Sequence, residues 1–131
     1  MMAREELSEN LLISIVDDDA LVGETIGALV EGLGHKAAVF DSAAHFLRSE
    51  VVPRTSCLIT DFQMPGLNGL QLQQELQSRG YRTPVIVVSG HSEREVEARA
   101  LSAGAIGFLQ KPFEAEALVE CLKTAIGSLP C

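Results

Sequence analysis

The chain has 131 residues, of which 47% are hydrophobic and 21% charged, with a formal net charge of −8. That length suits one domain and leaves no room for two, and the balance is that of a globular rather than a disordered protein. The few, scattered Lys and Arg argue against nucleic acid as a direct partner, and neither a membrane-length apolar stretch nor a signal-peptide pattern is visible.

Five short apolar runs alternate with segments of helical spacing. Leu11–Val16 (LLISIV) reads as the first strand, followed by Asp17-Asp18-Asp19. Ala20–Gly32 places Leu21, Ile26, Leu29 and Val30 largely on one side, and Gly32 and Gly34 supply stop signals. Lys36–Phe40 is the second run, and Asp41-Ser42 caps a helix over Ala43–Glu50. Ser56–Thr60 is the third run and ends against Asp61. Leu67–Arg79 carries Leu70, Leu72 and Leu76 before the breaker Gly80.

Pro84–Val88 precedes Ser89-Gly90 and a helix over Ser92–Ala103. Ile106–Gln110 precedes Lys111-Pro112, and Glu114–Ile126 closes the series with Leu118, Val119, Leu122 and Ile126 as its buried face. Consecutive apolar positions suit strands covered on both faces. Strands alternating with helices predict an α/β fold, (βα)5, with a parallel sheet of order 2-1-3-4-5, the doubly wound flavodoxin-like arrangement. Cys57 and Cys121 fall in core-like segments and read as buried and reduced. With Cys131 they form an odd set without motif spacing, which fits a cytoplasmic setting.

In such a sheet, chemistry gathers outside the carboxyl ends of the strands, near the point where strand order reverses. Asp17 and Asp18, Asp61, Ser89 and Lys111 stand at four neighbouring ends. Asp41 follows the edge strand and reads as a helix cap, as Asp19 does for the first helix. Facing carboxylates raise one another's pKa unless a cation or an ammonium relieves them. Oxygen ligands suit a hard divalent ion such as Mg²⁺, Lys111 supplies the ammonium and Ser89 a hydroxyl. Together they make a site for a phosphoryl group. Each residue also has a plainer reading: a turn for Asp61 before Met64-Pro65-Gly66, a cap for Ser89-Gly90, a solvated charge for Lys111. Four coincidences at four adjacent strand ends weigh against taking the plainer reading for all of them.

ISIVDDD, LITDFQMPGLNG, VIVVSGH and GFLQKPF, in this order and spacing, resemble the receiver domain of two-component response regulators, in particular the FixJ/NarL-type branch. The resemblance implies a CheY-like fold over 11–127, with an N-terminal extension at 1–10 and a tail at 128–131. It implies that Asp61 accepts a phosphoryl group from a sensor histidine kinase. Asp18, with Asp17, Asp61 itself and the backbone carbonyl of Gln63, would hold Mg²⁺. Lys111 would pair with phosphoryl oxygens and Ser89 would be the switch hydroxyl. Phe108, by sequence alone a core aromatic, takes the switch-aromatic position, and Lys111-Pro112 becomes a candidate cis peptide.

The resemblance further implies a signalling switch rather than a turnover enzyme. Its output surface would be the fourth helix, fifth strand and fifth helix, with Ala100 and Leu101 permitting close packing in a homodimer. His91 reads as a surface histidine near the acceptor; His35 and His45 carry no recognisable role. A receiver-like module without phosphorylation would lack an acidic or lysine position, and all are present. A phosphatase of haloacid-dehalogenase type would need a second Asp where Gln63 stands.

Overall fold

The computed structural model describes residues 11–90 and 94–127. Its strands are β1 (Leu12–Val16), β2 (Lys36–Phe40), β3 (Cys57–Asp61), β4 (Val85–Ser89) and β5 (Gly107–Gln110). The helices are α1 (Ala20–Gly32), α2 (Ala43–Leu47), α3 (Gly69–Ser78), α4 (Arg94–Ser102) and α5 (Ala115–Gly127), with a 3-10 turn at Val52–Arg54. All strand pairs are parallel and the order is β2-β1-β3-β4-β5, as the alternation of elements predicts. The order reverses between β1 and β3, which sets Val16 beside Thr60 and leaves Asp17 and Asp61 next to each other on one rim.

The period-2 geometry of strands divides the core in two. Ile13, Ile15, Cys57, Ile59, Ile86 and Val88 face the side covered by α1 and α5, where Ile26, Val30, Leu118 and Leu122 meet them. Val16, Leu58, Val85 and Val87 face α2, α3 and α4 through Phe46, Leu72, Leu76, Val96 and Ala100. Burying an aliphatic side chain of this size stabilises by about 1.5–3 kcal/mol, so this two-sided burial is what holds the sheet flat against its helices. On the second side Ser14 hydrogen-bonds Thr55 at 2.7 Å, and the Thr55 hydroxyl in turn donates to the Val51 carbonyl, so both buried hydroxyls are satisfied.

Several local expectations are corrected. α2 ends at Leu47 rather than Glu50, because the chain turns at Arg48 and enters the 3-10 turn carrying Pro53. Its cap is the Ser42 hydroxyl, which accepts the His45 N–H; Asp41 instead approaches the His45 ring at 3.3 Å. α3 begins at Gly69 rather than Leu67, because Asn68 and Gln71 form a reciprocal capping box. α1 does not bury Leu21, which is 72% exposed; Gly23 and Gly27 face the sheet instead. On α5, Ala125 is buried while Val119 and Ile126 are half-buried, and Cys121 is half-buried where burial was expected. The edge strand β2 is only partly covered, with Val39 43% exposed. Ala100 is fully buried, so of the two α4 residues expected on an output surface only Leu101 is exposed. The segments 1–10 and 128–131, His91 and the start of the fourth helix at Ser92 lie outside the described residues.

Candidate functional site

Asp17 leaves β1 almost wholly buried, at 2% exposure, and is held from three sides. Its N–H donates to the Phe40 carbonyl at 3.1 Å, one carboxylate oxygen accepts the Asp19 N–H at 2.9 Å, and the other accepts Lys111 Nζ at 2.9 Å. Asp61 is the last residue of β3 and is buried; its Oδ1 lies 3.5 Å from Lys111 Nζ. Asp18 is exposed. Each of the three carboxylates offers an oxygen within 4.8 Å of the others. Asp19 is not part of this group, because its side chain caps α1 by accepting from Leu21 and Val22, as expected.

Lys111 follows β5, and its N–H donates to the Ser89 carbonyl at 2.7 Å, tying the two strand ends together. The peptide between Lys111 and Pro112 is cis. Ser89 ends β4 with no exposed surface. Phe108 is half-buried and packs on the α2–α3–α4 side of the sheet. Gln63 is exposed and lines a cleft with Asp18, Phe62, Met64 and Asn68. The expected site residues therefore converge on one rim, with Phe108 one layer below.

Burial pushes the Asp61 carboxyl up to about 6, the charge of Asp17 adds to this, and Lys111 opposes it. Burial by itself would lower the Lys111 pKa, but its hydrogen bond to Asp17 and the charges of Asp61 and Asp17 outweigh burial and raise it. The cluster thus holds three carboxylates against one ammonium, a formal balance of −2 once Asp61 is ionised. Hard oxygen donors with that uncompensated charge fit Mg²⁺.

A consequence follows for stability. The folded-state pKa of Asp61 lies above its unfolded value of about 3.9. Between the two, the folded chain binds more protons, so this group's contribution to stability falls as pH rises across that window. Without metal, Asp61→Asn should stabilise the protein by on the order of 2 kcal/mol at about pH 7.5, and by almost nothing below about pH 4. Urea unfolding in a chelator at both pH values reads this directly; an equal effect at both would contradict it.

Two features of the rim were not legible beforehand. A Cβ on Gly69 would lie 2.7 Å from the Asp61 carbonyl oxygen and 3.1 Å from Phe62 Cα, so the start of α3 rests directly on the Asp61 backbone. The Gly69 N–H also donates to the Phe62 carbonyl at 2.9 Å. Beside Lys111, a groove of about 760 Å³ runs between α1 and the start of α5, lined by Leu21, Val22, Ile26, Leu29, Pro112 and Phe113. Leu21 was assigned to the core by periodicity, which concealed this apolar edge. Among the described residues, no helix is long and apolar enough to cross a membrane.

The family model described as the response regulator receiver domain matches residues 13–123. The transcriptional regulatory protein FixJ of Azorhizobium caulinodans is 36% identical over 121 residues, which cover 92% of this chain and 57% of FixJ. The response regulator protein TmoT of Ectopseudomonas mendocina is 39% identical over 119 residues, covering 91% of this chain and 54% of TmoT. The chain spans just over half the length of these relatives. Among solved structures, FixJ-N superposes with a TM-score of 0.83 at 29% identity, covering 92% of this chain and 97% of that one. Full-length FixJ from B. japonicum superposes with a TM-score of 0.79 at 31% identity, covering 88% of this chain and 57% of that one. With its CheY-like order of strands and its acidic pocket beside Lys111, the chain belongs to the response regulator receiver domains of two-component signalling and is FixJ-like.

Proposed function

We propose that Asp61 accepts a phosphoryl group from a phosphohistidine of a sensor histidine kinase, in a Mg²⁺-dependent reaction, and that the resulting charge switches the α4–β5–α5 surface. The observation that carries this reading is the meeting of Asp17, Asp18 and Asp61 within 4.8 Å, with Lys111 Nζ reaching both Asp17 and Asp61. In the transfer, an Asp61 carboxylate oxygen forms the new P–O bond as the P–N bond of the donor breaks. Asp18, Asp17, Asp61 and the Gln63 carbonyl would hold Mg²⁺, which when bound supplies positive charge against the phosphoryl oxygens. Lys111 provides a second, permanently charged donor on the same side, and partial burial keeps water from screening it.

Phosphorylation adds close to two negative charges and strong acceptor oxygens. The Ser89 hydroxyl, one strand away from Asp61, turns toward one of these oxygens, and Phe108 moves inward into the space this opens. The change biases α4–β5–α5 toward a bound partner or a homodimer, in which Leu101 offers exposed apolar surface. The protein acts in the cytoplasm, with residues 11–127 forming the receiver.

The groove suits the histidine-bearing helices of the kinase, because apolar side chains of α1 line it together with Lys111, whose amine contacts Asp61, and exposed Leu21 is part of that lining. Leu21→Asp should slow transfer from the kinase at least about tenfold, the cost of a desolvated charge in an apolar contact, while incorporation from acetyl phosphate stays unchanged. Equal slowing with both donors would contradict this placement.

The reading as a whole is tested by Mg²⁺-dependent incorporation from acetyl phosphate. Wild-type protein should be labelled, and chelation or Asp18→Asn should remove most of the label. Labelling that is indifferent to Mg²⁺ would contradict the role given to the acidic pocket.

A further inference from the structure

Gly69, Gln73 and Gln77 are spaced by four residues and form one stripe along α3. At its first position the stripe rests on the backbone of Asp61 and Phe62. At its other end, Gln73 Nε2 and Gln77 Nε2 both donate to the Ala103 carbonyl, at 3.0 and 2.9 Å. That carbonyl belongs to the turn that leaves α4 for β5. Its two lone pairs are both taken, by side chains from a different helix.

The turn itself is shaped for this contact. Gly104 has φ +106°, and a Cβ there would lie 3.1 Å from Gln77 Nε2 and 3.6 Å from Gln73 Nε2. A glycine is thus the residue that lets both amides reach Ala103. Gln73 is 1% exposed, and its Oε1 has no hydrogen-bond partner among the described residues. An apolar side chain would fill that space without stranding a buried acceptor, so packing alone does not account for an amide here. One turn before Ala103 on α4, the Arg99 guanidinium lies 6.0 Å from the centre of the Phe62 ring, the residue that follows the acceptor.

We infer that Gln73 and Gln77 are positioning residues that fasten the C-terminal end of α4 to the helix seated on the acceptor. The end of α4 at Ala103 then serves as a fixed pivot, so a change around Asp61 and Ser89 is expressed as a tilt of α4 rather than as a displacement of the whole helix. This inference rests on the reading of Asp61 as phospho-acceptor. Coupling between separated sites is carried by packed elements and hydrogen bonds that have discrete arrangements.

The test compares wild type with Gln77→Met, Gln73→Met and the double variant, by amide hydrogen exchange across α4 and the turn into β5, with and without beryllofluoride and Mg²⁺. Gln77 is exposed, so its variant folds even if replacing buried Gln73 proves harmful. Labelling by acetyl phosphate should stay at the wild-type rate in each variant. The beryllofluoride-dependent change in exchange at α4 should shrink by roughly three- to tenfold in the double variant and less in Gln77→Met. Gln77→Lys, which keeps an N–H donor of sufficient reach, should restore it. If wild type responds and Gln77→Met and the double variant respond equally, the pivot is refuted while the acceptor stands. If wild type is labelled by acetyl phosphate but its α4 shows no response, the pivot alone is refuted; if wild type is not labelled, the reading of Asp61 fails, and the pivot with it.

Discussion

Lys111→Met should slow phosphoryl incorporation from acetyl phosphate by about a hundred- to a thousandfold, the usual loss when one preorganised donor is removed from a developing charge. Lys111 Nζ sits 2.9 Å from Asp17 and 3.5 Å from Asp61, with 22% of its side chain exposed, so it is held in place and only partly screened. Its raised pKa, set by its hydrogen bond to Asp17 and the neighbouring carboxylates against the effect of burial, keeps it charged throughout the physiological range. Removing it leaves the three carboxylates without their counter-charge, so Mg²⁺ should bind at least as tightly as before. Loss of labelling with metal binding retained would assign the effect to the transfer itself. Labelling at the wild-type rate would mean that the lysine is only structural.

Gly69→Ala is expected to have a large effect as well, although it adds only one methyl group. A methyl 2.7 Å from the Asp61 carbonyl oxygen cannot be accommodated by rotating a side chain, because the neighbour is backbone. Either α3 or the end of β3 must move. Overpacking of this kind costs about 1–3 kcal/mol, and a displacement of Asp61 by even part of an ångström should slow labelling on the order of tenfold or more. Gly32→Ala is the control, since nothing lies within 4 Å of a Cβ there. Urea unfolding and acetyl phosphate labelling of both variants separate the outcomes. Gly69→Ala with wild-type stability and rate would show that α3 does not set the position of Asp61.

These two residues also mark how far the sequence could be read. Lys111 was identifiable because a charged residue directly after a buried strand has a narrow choice of positions, and because the order 2-1-3-4-5 brings such ends together. The same reasoning brought Asp17, Asp18 and Asp61 together in the acidic pocket. Gly69 was legible only as a turn signal, because what demands glycine there is an oxygen eight residues earlier in the chain. Leu21 was misplaced for a related reason. Hydrophobic periodicity assigns the large apolar side chains to the inner face, yet α1 approaches β2 so closely that a Cβ on Gly23 would lie 2.9 Å from Val39, and the inner positions fall to Gly23 and Gly27.

Buried Gln73 was invisible for a third reason. Its hydrogen-bond partner, the Ala103 carbonyl, lies 30 residues further along, and no local pattern announces it. Asp41 was expected to cap α2 because Asp and Ser are both good caps. The backbone selects Ser42, whose extended conformation at φ −156° and ψ 157° brings its hydroxyl under the helix. The expected strand order is observed, and Asp17, Asp18, Asp61 and Lys111 meet at neighbouring strand ends as expected. The inner face of α1 and the burial of Gln73 depended instead on how closely two elements approach, and the cap of α2 on backbone conformation.

The covalent step itself can be observed. Protein labelled with acetyl phosphate and Mg²⁺ is treated with borohydride, which reduces an acyl phosphate but leaves phosphate esters intact, and is then digested and mapped by mass spectrometry. The modification should fall on the peptide containing Asp61, at that residue, and Asp61→Ala should carry none. A modification at Asp17, Asp18 or a hydroxyl side chain, or one undiminished in Asp61→Ala, would contradict the assignment of the acceptor.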